Sequence, residues 1–382
     1  MRTVIGRRRS VQFLAGLAVF GVTVAGCSIG DIRRKPPANR TVTGSPSAEP
    51  DAVAARWQVQ VPVPGGHELR QIEFVDAERG YALFVRPQAP SPAPGGPDGS
   101  APGGETAVVV ATTDGGRSWR PVPHPRPRAT QHQLYAGNGL LVLHTEPGGY
   151  HVSADGGATF THHPGETPPA AYHRTQGRFG LCCDDAEPRL VEWHGDRART
   201  LPEQPPLPSL HAVAYGGGRL VAAGLRAGRA YVSISDDGGR SWLPAHSPHA
   251  DGELAIVGLR VAADGDAWLL AHDGEPTRFP WLWRAIPAGP VPSWEPYRVA
   301  DPPPRFVSAV ALGAGVLVVT TPNRVGLIRD GRLRELPWPV RGQYLAVLAD
   351  GTLFARDGAG GRVWLGRGQG TDRRWVVIDL EW

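Results

Sequence analysis

Residues suited to chemistry are few in this chain, and most of them stand alone. Cys182 and Cys183 are adjacent, with Asp184 and Asp185 directly after them. Four such side chains in a row suggest a metal or redox site. Neighbouring strand residues point to opposite faces, however, and two contiguous thiols lack zinc-ligand spacing. The pair reads as a vicinal disulfide or as two plain core thiols. The remaining cysteine, Cys27, ends the run Val24-Ala25-Gly26-Cys27. None of the 13 histidines, His211 and His272 included, shows ligand spacing. Glycoside hydrolysis needs two carboxylates at a fixed separation, and the sequence places no such pair. Neither a cofactor nor a metal is expected.

The acidic residues that do recur belong to a repeat. Three segments share one pattern: Thr112 to Trp119 around Asp114 and Gly116, Ser153 to Phe160 around Asp155 and Gly157, and Ser235 to Trp242 around Asp237 and Gly239. Each has a hydroxyl residue, then Asp, Gly, a second hydroxyl residue and an aromatic at fixed positions. Asp114 and Asp155 are 41 residues apart, and Asp237 lies twice that distance further on. A degenerate copy is therefore expected near Trp193-His-Gly-Asp196. A period near 41 matches one four-stranded propeller blade. In such a turn Asp accepts backbone N–H bonds, Gly supplies a positive φ, and the aromatic opens the next strand. The segments resemble the Asp-box, or BNR repeat, of sialidase-like propellers. The resemblance implies that each box joins the third and fourth strands of a blade at the outer rim, in a structural role.

Extending this frame predicts an all-β chain forming a single β-propeller, most simply of seven four-stranded blades; six or eight remain open. Short apolar runs cut by Gly and Asp turns supply the strands. Leu69 to Val75 and Gly80 to Val85 fall in blade one, blade three begins near Ala170, and Tyr344 to Leu348 opens blade seven. Blade five carries a decayed box around Gly289 to Trp294. Trp57-Gln-Val-Gln-Val61 alternates, and it is expected to pair with the last blade, since an unclosed edge invites aggregation. Residues 87–105 are nearly all Pro, Gly, Ala and Ser and read as a loop insertion. Loops between second and third strands offer Asp184, Asp185, Arg226, His272, Asp273, Arg278 and Arg324 as ligand-facing candidates. As lone polar residues, most of these are read as merely solvated.

The first 55 residues differ in kind. A basic segment with Arg2, Arg7, Arg8 and Arg9 precedes the apolar run Val11 to Val24, which is too short to span a bilayer. With Cys27 this resembles the signal and lipobox of bacterial lipoproteins. It implies removal of residues 1–26 and a diacylglyceryl group on Cys27. The protein is then expected on the extracytoplasmic side of the cell membrane, held by its lipid. Two acyl chains anchor stably where one is marginal, at roughly 0.8 kcal/mol per buried CH₂. Residues 27–55 read as a disordered tether, and 56–382 as the propeller. The formal charge is +4, from 40 basic and 36 acidic residues. The four leader arginines account for that excess, so the remainder is near neutral and nucleic acid is not an expected partner.

The resemblance also raises catalysis. Sialidases of this type have an Arg-Ile-Pro motif before the first box, three arginines on a carboxylate, and a Tyr–Glu pair. Here no Arg-Ile-Pro precedes Thr112; Arg278-Phe-Pro280 is a loose match in blade five. The favoured expectation is a non-catalytic binding or assembly module, similar to Asp-box propellers of the photosystem assembly-factor type. Its partner would be a protein or a cell-envelope glycan. The alternative is a surface glycosidase with a diverged site.

Overall fold

The computed structural model describes residues 53–88, 104–182, 188–246, 254–286, 292–357 and 361–382. The expected leader, Cys27 and most of the tether lie outside them. So do Cys183, Asp184, Asp185, the centre of the Pro/Gly-rich insertion and part of the decayed box of blade five.

Seven sheets follow one another along the chain, each made almost wholly of consecutive antiparallel strands. Blade one runs Glu68–Phe74, Gly80–Pro87, Glu105–Thr112 and Arg120–Val122 from its inner to its outer edge. Blades two, five, six and seven repeat this order. Their innermost strands are Gln131–Gly137, Ala255–Val261, Ser308–Gly313 and Leu345–Val347. Each sheet is apolar on both faces, so it must be covered twice. The core answers that requirement with seven apolar clusters, one per seam between neighbouring blades. The seam that closes the ring packs Phe74 and Phe84 of blade one against Phe354, Leu365 and Ile378 of blade seven. Seven seams for seven sheets mean that the ring is complete: the fold is a seven-bladed β-propeller.

Strand Val53–Gln60 lies outside the last blade, pairing in parallel with Asp372–Glu381, with Trp57 opposite Ile378. Its alternating burial turns Trp57 and Val59 inward, where they join the closing seam. The strand begins at Val53, three residues inside the expected tether, because Val53 and Ala55 pack against buried side chains of blade seven. The ends of the expected insertion are likewise strand: Pro87 faces Glu105 across the second and third strands of blade one.

Blades three and four depart from four strands. Blade three has Phe179–Cys182, Arg189–His194 and Arg197–Thr200, and a helix, Ala170–Gln176, stands before them in the inner position. Its Ala, Arg and Gln residues favour helix, Pro169 precedes it, and it stops at Gly177, whose N–H bonds Arg174 O. Buried Ala171 and Thr175, one turn apart, face blade two. The helix end comes so close to blade two that a Cβ on Gly137 would sit 2.3 Å from Thr175 O. Blade four shows three strands among the described residues, with a further bridge between Val232 and His246.

Candidate binding site

The three repeat segments fold into near-identical turns between third and fourth strand positions. In the first, Thr112 Oγ1 donates to Asp114 Oδ1 (2.8 Å) and accepts from Gly116 N (2.9 Å). Asp114 then accepts from Ser118 N (3.0 Å) and Ser118 Oγ (2.6 Å). The second turn repeats this with Ser153, Asp155, Gly157 and Thr159, the third with Ser235, Asp237, Gly239 and Ser241. Asp155 and Asp237 are held far below the usual carboxylate range, first by the hydroxyls of Thr159 and Ser241 and then by backbone N–H groups. Gly116, Gly157 and Gly239 have φ of 90°, 91° and 87°. Each also abuts the outer part of the preceding blade. A Cβ there would lie 2.6 Å from Ile378, 2.4 Å from Val122 or 2.5 Å from Leu201. The aromatics follow suit. Trp119 is buried in the seam with blade seven, Phe160 packs in the seam with blade one, and Trp242 packs in the seam with blade three. At the expected degenerate copy the chain makes only a two-residue hairpin, Gly195-Asp196, between His194 and Arg197.

The loop candidates do not converge on one place. Asp273 and Arg278 pair within one loop of blade five at 3.6 Å, joined by Glu275 at 3.4 Å, and His272 Nδ1 accepts from Gly274 N. Arg226 closes a separate hairpin opposite Arg229, and Arg324 sits in a turn bonded to Thr321. Cys182 is disulfide-bonded, which removes the plain-thiol alternative for that residue. Among the described residues no group of three His, Cys, Asp or Glu is arranged to hold a metal ion.

A cavity of about 350 Å³ opens instead at the inner edges of blades seven, one and two and the helix of blade three. The inner strand of blade seven and its flanking residues contribute Tyr344, Val347 and Leu348, and its second strand contributes Phe354 and Arg356. Glu73 and Val75 come from blade one, Asn138 from blade two, and Thr175 and Gln176 from the helix end. Tyr344 and Val347 are 37% and 48% exposed, unusual for large apolar residues in this protein. Glu73 is the one acidic residue among the described lining. Nothing in the sequence marked this wall, because Tyr344 to Leu348 reads as one more buried blade strand. A wider hollow of about 520 Å³ lies on the outer edge of blade seven, beside exposed Gln369, Asp372 and Arg374.

Two further polar features lie between blades. On the inner strand of blade five, Arg260 donates to Ala309 O of blade six and to Leu259 O, both at 2.8 Å. Burial pulls its pKa down to about 10, so it stays charged at neutral pH. Between blades one and two, His124 and His132 meet edge to face with ring centroids 5.0 Å apart, and His151 stacks on His162 at 4.7 Å. Neither ring nitrogen of His132 has a hydrogen-bond partner among the described residues; the same holds for Nε2 of His124 and of His151. Burial, reinforced by the charges of His132 and His151, lowers His124 to about 3. Burial, reinforced by His162, Arg126 and His163, lowers His151 to about 4, and burial lowers His132 too.

The arrangement defines a class: a seven-bladed β-propeller with a ligand-sized cavity beside its axis and polar rim turns that are internally satisfied. No protein-family model matches the chain, and no curated protein matches it. Among solved structures it is similar to YCF48 bound to D1 peptide, at 13% identity and a TM-score of 0.40, over 82% of this chain and 92% of that one. It is also similar to YCF48 from Cyanidioschyzon merolae, at 14% identity and a TM-score of 0.44, over 77% and 94%. Citrobacter koseri AztD is another such structure, at 11% identity and a TM-score of 0.39, over 83% and 90%.

Proposed function

We propose that this protein is a non-catalytic binding or assembly module that engages its partner at the axial cavity and is displayed at the membrane through a lipid on Cys27. One observation carries the binding reading. The cavity combines exposed apolar side chains, Tyr344 and Val347, with an arginine, Arg356, that bonds no described residue. Apolar surface with a few uncommitted polar groups is the usual make-up of a ligand pocket. A glycosidase would need two carboxylates facing the substrate, whereas the cavity offers Glu73 alone among its described residues. The three rim turns are read as structural, since their Asp side chains are already bonded within the turn.

A photoreactive residue at position 347 tests this in the protein's own envelope. Light should crosslink a distinct partner there, and not from a control position at Arg199 on the outer strand of blade three. Equal labelling from both positions contradicts the cavity reading. In the same cells Cys27→Ala should move the protein out of the membrane fraction; full retention rules out the lipid anchor.

A further inference from the structure

The chemistry of the cavity narrows what can occupy it. Arg356 ends the second strand of blade seven, Leu353–Arg356, and faces the cavity without a bond to any described residue. Several other arginines are spent on carboxylates, among them Arg70 on Glu105, Arg284 on Asp266 and Arg362 on Asp379, and Arg260 is spent on backbone oxygens. A guanidinium is a rigid planar fork of donors that matches a carboxylate in two parallel bonds. Beside it the wall is apolar, formed by Tyr344, Val347 and Leu348, and Asn138 and Gln176 line the same space. The amide of Asn138 is anchored on Arg174 O and that of Gln176 on Thr175 Oγ1, which leaves their carbonyl oxygens as acceptors. At about 350 Å³ the cavity lies at the small end of ligand sites.

We propose that the cavity takes an apolar residue bearing a free carboxylate. The carboxylate sits on Arg356, the apolar side chain lies against Tyr344 and Val347, and an amide N–H meets Asn138 or Gln176. The same chemistry is presented by the end of a polypeptide or by a free N-acylated amino acid. A neutral glycan fits less well, since its many hydroxyls would meet mostly carbon on this wall. The inference rests on the axial cavity being the binding site, and the test separates the two.

Full-length lipidated protein in detergent is titrated calorimetrically with N-acetyl-Ala-Ala-Leu-Phe, with the amide of the same peptide, and with N-acetylphenylalanine. The free-acid peptide should bind saturably. Its amide, and the Arg356→Gln variant with the free acid, should each bind about ten-fold or more weakly, the usual worth of a charge-assisted hydrogen bond. Arg356→Lys, which keeps the charge but not the fork, should fall between. The amide comparison uses the wild-type chain, so it stands even where a variant folds poorly. N-acetylphenylalanine binding as tightly as the peptide assigns a free amino acid as the source, and much weaker binding assigns a polypeptide end; either outcome supports the proposal. Acid and amide binding equally, Arg356→Gln binding as wild type, or no binding up to about millimolar concentration would overturn it. If no probe binds while position 347 still crosslinks a partner, the carboxylate inference fails and the binding reading stands.

Discussion

The rim turns and the axial cavity are built from similar residue types and treat them in opposite ways. At the rim, each aspartate of the three repeat turns is surrounded by donors from its own turn, and the turn glycine is wedged against the preceding blade. In the cavity, Arg356 bonds no described residue, and Tyr344 and Val347 lie open. A polar group already bonded has little left for a ligand, and rebonding it would first cost what it holds. Recurrence in sequence therefore marks the parts that hold the ring together. The part free to bind is irregular, and it lies where the helix Ala170–Gln176 interrupts the repeat of inner strands.

This contrast predicts a graded series of effects. The largest should come from Gly116→Val. The new side chain meets a φ of 90° and Ile378 at 2.6 Å, and left-handed backbone plus overpacking together cost about 3 kcal/mol or more. Denaturant unfolding should show that loss, and a wild-type midpoint would mean that the seam yields freely. Asp237→Ala comes next. It strips the acceptor from Ser241 N and Oγ, so the thermal midpoint should fall while binding at the cavity is retained.

The histidine seam gives a smaller, pH-dependent effect. Half-buried His124 and buried His132 and His151 have pKa values below the ordinary value of about 6.5 that they regain on unfolding. The unfolded chain then binds more protons below about pH 6.5, and stability falls as pH is lowered through that value toward 4. The rim aspartates, also shifted downward, lose their contribution only below about pH 4, their unfolded value. Between about pH 6.5 and 5 only histidines contribute, the seam together with His144, His173 and His211, which burial also lowers. His132→Leu should reduce, but not abolish, the fall of the midpoint across that window. An unchanged slope would show that the seam is not what titrates.

Much of the ring was legible in the sequence because blade strands are short apolar runs bounded by glycine. Gly315 before Val316–Thr320 and Gly218 before Arg219–Arg226 show the signal at its plainest. The 41-residue period also set the frame of blades. That frame hides the helix: in sequence, residues 170–176 look like the start of a blade, whereas local propensity for helix and contact with Gly137 prevail. The cavity was hidden for another reason. Tyr344 to Leu348 carries the same apolar signature as the buried strands, and whether Val347 is covered depends on what its neighbours place opposite it. Arg356 is one arginine among many until the fold sets it in the cavity wall. His132 and His151 show no ligand spacing in sequence, and only the pairing within blade two, with the loop holding His124, brings the three into one seam.

The central claim is that the rim holds the ring and the cavity binds. It is tested most directly by measuring, on the same preparations of wild type, Asp237→Ala and Arg356→Gln, both the thermal midpoint and the binding of the free-acid peptide. The account predicts a crossed result. Asp237→Ala lowers the midpoint and keeps the affinity, while Arg356→Gln keeps the midpoint and loses about ten-fold or more in affinity. Loss of binding in Asp237→Ala at an unchanged midpoint, with Arg356→Gln behaving as wild type, would contradict it.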